Sequence, residues 1–208
     1  MRVFKRVAVV AMAAGLLAGL GGAATASAAT SSPTWAPRVW LTGGDTSVTT
    51  APGLAAALLG HDIVPIATLP GTEGAQIGGS GVSVRFTFPV TGGWLNAAAL
   101  RGTIRHQGGI LFIDPATGRQ IEVSNFIINV HQGVLTAEVN GNPKVRVPLL
   151  RLSLAHAKIH AGWHYVQISG IVLRLTATAA GALDSTFSTT LFKPGLELGT
   201  ASTLVRFS

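Results

Sequence analysis

The sequence predicts a mainly β protein, an antiparallel β-sandwich or open barrel with two short helices near 51–59 and 177–184. Residues 82–90 (VSVRFTFPV) alternate apolar and polar side chains, which is the pattern of a half-buried strand. Shorter apolar runs are separated by turn sequences such as DPATG (114–118) and NGNP (140–143). Many short strands with only two helices favour a sandwich or barrel over a layered α/β fold.

The alternating pattern continues through the second half of the chain. The alternation changes phase across Ser124 and Asn125, and again across Ser169 and Gly170. A β-bulge produces such a one-residue shift, so we expect a bulge at each point. Further strands are predicted near 100–106, 109–113, 133–140, 145–159 and 196–206. The apolar faces predict six core residues, which are Phe86, Phe88, Val166, Ile168, Leu173 and Leu175.

Two alanine-rich segments break the strand pattern. Residues 49–60 (TTAPGLAAALLG) have Thr50 as a candidate N-cap, Pro52 in the first turn and Gly60 as a stop. Residues 176–187 (TATAAGALDSTF) also begin at a threonine and continue with alanine. Both segments are predicted to be short helices at the ends of strands.

The first 28 residues have the composition of a secretory signal peptide. MRVFKR is followed by the apolar run VAVVAMAAGLLAGLGGA and then by Ala26-Ser27-Ala28, which fits the pattern that signal peptidase cleaves. No later apolar run approaches the roughly 20 residues of a membrane span. The sequence predicts a Sec-type signal peptide at 1–28 and one secreted, extracellular domain at 29–208 with no membrane span.

Composition narrows the choice of partners. Without Arg2, Lys5 and Arg6, 12 basic residues remain against 8 acidic ones, a net charge of +4. The basic residues are spread singly, so no nucleic-acid partner is expected, whereas an anionic cell-wall polymer is compatible with the charge. The chain has no cysteine, so it forms no disulfide and performs no thiol chemistry.

Sequence motifs for catalysis are missing. H-E-x-x-H and G-x-S-x-G do not occur, and GGSG (78–81) lacks the spacing of a nucleophile elbow. Glu122 and Glu138 lie in β-patterned stretches without an obvious acidic partner, although the two carboxylates of a glycosidase need not be close in sequence. We expect a binding or structural protein with no catalytic residue.

Three of the six histidines, His156, His160 and His164, are spaced four residues apart. On a helix they would share one face, but the flanking segments are β-patterned, so we predict a hairpin that bends at 161–163. Along a strand four residues span about 13 Å, which prevents His156 and His160 from sharing a zinc ion. A three-residue loop would bring His160 and His164 face to face as a weak metal site; otherwise these histidines are solvated.

The order of several motifs in the second half resembles the HtaA-like secreted domains of actinobacteria. The match covers about 82–206 and consists of LRGTIRHQGGILF, GRQIEVSNFIINV, GVLTAEV, VPLLRLSL, ISGIVLRLTATAAGAL and LFKPGLELGT. The resemblance implies an extracellular β-sandwich and, in characterised members, a haem pocket in which a tyrosine holds the iron with a histidine nearby.

Carried over to this chain, the resemblance implies that His106, at the end of a predicted strand, is the pocket histidine. The stretch that supplies the family's ligating tyrosine is missing, because residues 34–50 are TWAPRVWLTGGDTSVTT. Tyr165 is the only tyrosine in the chain and therefore the remaining candidate ligand of haem.

Two functional hypotheses follow. The first is a secreted, non-enzymatic cell-envelope or extracellular protein that uses this scaffold for binding or as a structural component. Its partner would be a cell-wall polymer, a surface protein or a small apolar ligand, with Trp35, Trp40, Trp94 and Trp163 as candidate contact residues. The second is a haem-binding module of a haem-uptake system that uses His106 and Tyr165. We prefer the first because the family's tyrosine stretch is absent.

Overall fold

The structure is a computed structural model that describes residues 38–78, 81–96 and 98–208. The described residues contain two helices, α1 (Leu54–Leu59) and α2 (Ala177–Phe187). Neither is long and apolar enough to cross a membrane. The predicted signal peptide at 1–28 lies outside the described residues, as does Trp35. The strands are β1 (Val39–Thr50), β2 (Val64–Thr68), β3 (Thr72–Gly78), β4 (Gly81–Asn96), β5 (Arg101–His106), β6 (Gly109–Ile113), β7 (Gln120–Asn129), β8 (Val134–Val139), β9 (Asn142–Ser153), β10 (Lys158–Ala161), β11 (Tyr165–Leu175) and β12 (Glu197–Phe207).

Eight of these strands form a closed antiparallel barrel. The hydrogen-bonded order around the barrel is β7-β5-β4-β1-β12-β11-β9-β8, and a further pairing of β7 with β8 closes it. The other described strands extend the barrel wall, because β2 pairs with β6, β6 with β7, β3 with β4 and β10 with β11. The predicted fold class, mainly β and antiparallel with two short helices, is confirmed.

The two ends of the barrel differ. In an antiparallel barrel alternate connections lie at the same end. One end carries α1, which follows β1, and α2, which follows β11; we call it the helical end. The other end carries the β4–β5, β7–β8 and β10–β11 turns, the start of β1 and the end of β12; we call it the hairpin end.

The core lies inside the barrel and beneath α2. All six predicted core residues are buried. Both predicted bulges are confirmed, since the β7–β8 register shifts between Ser124 and Ile127 and the β11–β12 register shifts between Ile168 and Ile171. The shift keeps apolar side chains on the inner face on both sides of each bulge, which is why the sequence changes phase there.

The two helices are close to their predicted positions, but α1 begins later. Gly53 has φ +79°, in the left-handed region, so the helix starts at Leu54 and not beside Thr50. The Thr50 hydroxyl instead accepts a hydrogen bond from the Val84 amide, which ties β1 to β4. In α2 the predicted threonine start is found, because the Thr176 hydroxyl accepts a hydrogen bond from the Ala179 amide.

Candidate ligand-binding site

The barrel contains an apolar cavity of about 110 Å³ near its helical end. Its walls come from the inner faces of the barrel strands, including Phe86 and Phe88 of β4 and Leu173 and Leu175 of β11. Leu54 and Leu58 of α1 and Leu183 of α2 line it from the helical end. Among the described residues its polar side chains are Thr46, Thr50 and His106. The cavity is therefore suited to apolar groups.

His106 reaches this cavity because it is the last residue of β5 and shares the inward face of that strand with Ile104, which is also buried. Its side chain is 5% exposed. The ring atom Nε2 lies 2.7 Å from Thr46 Oγ1, and Nδ1 lies 3.3 Å from the carbonyl oxygen of Phe126. Both nitrogens therefore have hydrogen-bond partners.

The Thr46 hydroxyl links His106 to a second threonine inside the barrel. Thr46 Oγ1 lies 3.0 Å from Thr203 Oγ1, and both threonines are buried. Thr203 also lines a second, smaller apolar cavity of about 20 Å³, whose other walls include Ile104 and Ile168. The row His106–Thr46–Thr203 is a polar layer between the two cavities.

Burial lowers the pKa of His106 from 6.5 to about 4, against the opposing effect of the hydrogen bond to the Phe126 carbonyl. The imidazole is therefore neutral near pH 7. A neutral, hydrogen-bonded ring suits an apolar cavity, because a charged ring without an acidic partner would be costly to bury.

Tyr165, the other candidate haem residue, does not point into this cavity. It is the first residue of β11, where its neighbour Val166 and the next inward residue, Ile168, are buried. Since successive side chains of a strand point to opposite faces, Tyr165 lies on the outer face of the barrel wall. Its ring packs against Gly162 and lies 5.9 Å from the His160 ring, centroid to centroid. The structure does not bring His106 and Tyr165 together.

The histidine-rich segment forms the predicted hairpin, but its loop is shorter than the metal site requires. The Gly162 amide donates to the Tyr165 carbonyl, which leaves Trp163 and His164 as a two-residue turn. His160 pairs with Gln167 across the hairpin, and His164 lies in the turn. The three-residue loop that would set His160 opposite His164 is therefore not formed. The described residues contain no cluster of three or more histidine or carboxylate side chains that could hold a metal ion.

The two glutamates weighed for acid–base chemistry have structural partners. Glu138 forms an ion pair with Arg146 at 2.7 Å and also accepts a hydrogen bond from the Asn125 amide group. Glu122 accepts a hydrogen bond from the Thr68 hydroxyl. Neither glutamate lines the large cavity.

The sequence patterns missed Thr46 and Thr203. The signal that could have found them is a threonine on the apolar face of a strand, as in Ala201, Thr203 and Val205, where both neighbours on that face are buried. A hydroxyl at such a position needs an internal partner, and a buried histidine supplies one.

The fold and the cavity define a class, namely closed antiparallel barrels with an apolar interior. A solved structure of similar fold is the C-terminal domain of HtaA from Corynebacterium glutamicum, with a TM-score of 0.54 and 16% identity over 82% of this chain and 99% of that one. A domain-swapped dimer of a variant of the same domain gives a TM-score of 0.46 at 18% identity, over 75% of this chain and 93% of that one. No protein-family profile and no curated protein matches the chain. The resemblance to HtaA-like domains is thus confirmed at the level of the fold.

Proposed function

We propose that the protein is an extracellular, non-enzymatic binding protein that holds a small apolar ligand inside its barrel. The observation that carries this proposal is the apolar cavity of about 110 Å³. Buried side chains normally pack without such voids, and an unfilled cavity costs stability because its lining side chains lose contacts. A ligand that fills it would recover the lost contacts.

The cavity limits the size and chemistry of this ligand. An apolar cavity of roughly 150 Å³ in another protein binds benzene or xenon, whereas sites for drug-sized ligands measure roughly 300–1,000 Å³. The ligand proposed here is therefore an uncharged group of the size of a small arene, or the end of an alkyl chain. None of the described residues that line the cavity is ionised at neutral pH, because His106, the one titratable residue among them, is neutral.

The non-enzymatic part of the proposal is supported by the same side chains. A nucleophile needs an adjacent base and an acid–base catalyst needs access to its substrate. The pKa of about 4 and the hydrogen bonds of His106 oppose a role as base for Thr46 near pH 7. The extracellular location is supported by the signal-peptide pattern at 1–28.

Haem does not fit the two residues named for it. His106 is buried with both nitrogens bonded, and Tyr165 lies on the outer face of the wall. A porphyrin is also far larger than the small arenes that a cavity of this volume accepts. The haem-uptake alternative would therefore need ligands other than His106 and Tyr165.

The test is a thermal-shift measurement with benzene and xenon, supported by NMR of the cavity methyl groups. The parent is expected to gain stability with either probe, because ligands that bind only the native state raise the melting temperature. Val48→Phe, which projects a ring into the cavity, should lose the response. Val82→Phe is the matched control, because Val82 is exposed on the β3–β4 hairpin and lines no cavity.

A full response in Val48→Phe, or none in the parent, would refute the cavity as the binding site.

Haemin is titrated in a parallel series. We expect no haem absorption band that depends on His106 or Tyr165, so His106→Gln and Tyr165→Phe should match the parent. A band lost in both variants would restore the haem alternative.

A further inference from the structure

Large apolar side chains project into solvent at the hairpin end. Trp163 is 87% exposed at the apex of the β10–β11 turn, and Trp40 is 64% exposed at the start of β1. Leu100 in the β4–β5 turn is also exposed. These three side chains come from three separate chain segments that the barrel brings to one end.

Two contacts fix the conformation of the turn that carries Trp163. Gly162 lies against the Tyr165 ring so closely that a Cβ atom there would meet the ring carbons, which excludes any larger residue without rearrangement. The hydrogen bond from the Gly162 amide to the Tyr165 carbonyl closes the turn. Within the described part of the chain the Trp163 ring has one aromatic neighbour, His164, at 6.0 Å between centroids. Its remaining surface faces solvent.

The hairpin end is also the basic end of the molecule. Arg38, Arg101 and Arg206 are exposed there, just before β1, at the start of β5 and at the end of β12. None of the eight acidic residues of the chain lies at this end. Asp45 lies in the middle of β1, and the other seven lie towards the helical end. Three cationic side chains without an acidic side chain among them present a surface for an anionic partner.

Aromatic and cationic groups are in direct contact on this surface. The Arg38 guanidinium lies 4.1 Å from the centroid of the Trp94 ring, and Trp94 pairs with Trp40 across β1 and β4. This arrangement covers one face of Trp94 and leaves Trp40 exposed. Tryptophan beside arginine is the combination that is enriched where proteins meet the headgroup layer of a membrane.

We propose that the hairpin end docks on an anionic lipid surface. Trp163 and Trp40 enter the headgroup layer, and Arg38, Arg101 and Arg206 contact lipid phosphates. This surface is separate from the cavity, so the proposal is independent of the ligand proposed above.

The shape of the surface favours lipid over an anionic polysaccharide. Trp163 and Leu100 project singly from two turns, which suits insertion between headgroups. A sugar polymer is bound by flat aromatic faces that lie side by side, and Trp94, which could widen such a face beside Trp40, is already covered by Arg38.

The test is cosedimentation of the full exported protein with vesicles, together with its tryptophan emission. Binding is expected to vesicles of equimolar phosphatidylglycerol and phosphatidylcholine, with a shift of the emission to shorter wavelength, and not to phosphatidylcholine alone. Trp163→Ala should weaken binding by about tenfold. Leu69→Ala is the matched control, because Leu69 is 88% exposed and lies on the β2–β3 connection, away from the hairpin end.

A second variant separates charge from insertion. Arg101→Glu combined with Arg206→Glu should abolish binding to the anionic vesicles, while the melting temperature stays close to that of the parent. The proposal is overturned if the parent does not bind these vesicles, or if Trp163→Ala binds as the parent does. It is also overturned if soluble dextran sulfate binds to the parent and to Trp163→Ala equally and displaces the vesicles, because the partner would then be an anionic polymer held by charge.

Discussion

His106 is a titratable residue in a position that suits only its neutral form. It lies between two cavities, it has no acidic partner, and its ring nitrogens contact Thr46 and the Phe126 carbonyl. Desolvation therefore dominates its protonation and lowers its pKa from 6.5 to about 4. The folded protein resists protonation at a pH where the unfolded chain accepts it.

This difference predicts a loss of stability in mild acid. As the pH falls from 7 to 5, the unfolded chain takes up a proton at residue 106 and the folded one does not, so the free energy of unfolding should fall by about 2 kcal/mol from this site. This contribution of His106 to stability is fully present above pH 6.5, and it is lost progressively as the pH falls from 6.5 to the folded pKa of about 4. Urea unfolding at pH 7, 6 and 5 measures it. His106→Gln should lack this component, and an equal loss in both proteins would contradict the assignment.

The strand β4 shows how one element serves two environments. Its later residues pair with β1 and β5 inside the barrel, whereas its first residues pair with β3 alone and extend beyond the barrel. The alternating pattern is the same throughout, but Phe86 and Phe88 are buried and Val82 is exposed. The pattern thus predicts which face a residue occupies, and the neighbouring elements decide whether that face is covered.

We predict that Phe86→Ala lowers the free energy of unfolding by about 3–5 kcal/mol, because it removes a buried ring from the wall of the cavity. Val82→Ala, on the same face of the same strand, should change it by less than about 1 kcal/mol. Urea unfolding of the two variants and the parent gives both values. If Phe86→Ala is no more harmful than Val82→Ala, the assignment of the core face is wrong.

Sequence patterns predicted the second half of the chain better than the first. From Arg101 onwards most of the inward residues are apolar, with His106 and Thr203 among the exceptions, so alternation located most of the strands and both bulges. In β1 the inward positions include Thr46, and Gly43 and Gly44 interrupt the pattern, so this central strand was not predicted. Likewise β9 ends at Ser153 although the apolar pattern continues to 159.

The site was harder to predict than the fold. His106 was named from a family resemblance, but its partners Thr46 and Thr203 lie 60 and 97 residues away in sequence. The cavity is a property of packing among most of the strands and both helices, and no single segment carries its signature. Whether His160 pairs with Gln167 or faces His164 depends on one residue of loop length, and the alternation pattern does not determine that length.

For the whole molecule, we predict that the exported protein begins at or near Ala29, because Ala26-Ser27-Ala28 precedes it. N-terminal sequencing of the protein recovered from culture medium or from the cell surface measures the start. A start at Met1 in a membrane fraction would overturn the extracellular location, although it would leave the barrel and its cavity unaffected.

The two cavities on either side of the polar layer measure about 110 Å³ and about 20 Å³. They add to the native state a volume that no protein atom occupies. On unfolding, water enters this space and the total volume of the system decreases. Hydrostatic pressure therefore favours the unfolded chain, and a guest that occupies the larger cavity opposes that effect. Pressure and the proposed ligand thus act through the same cavity with opposite effects, because pressure favours the unfolded chain and the ligand favours the native state.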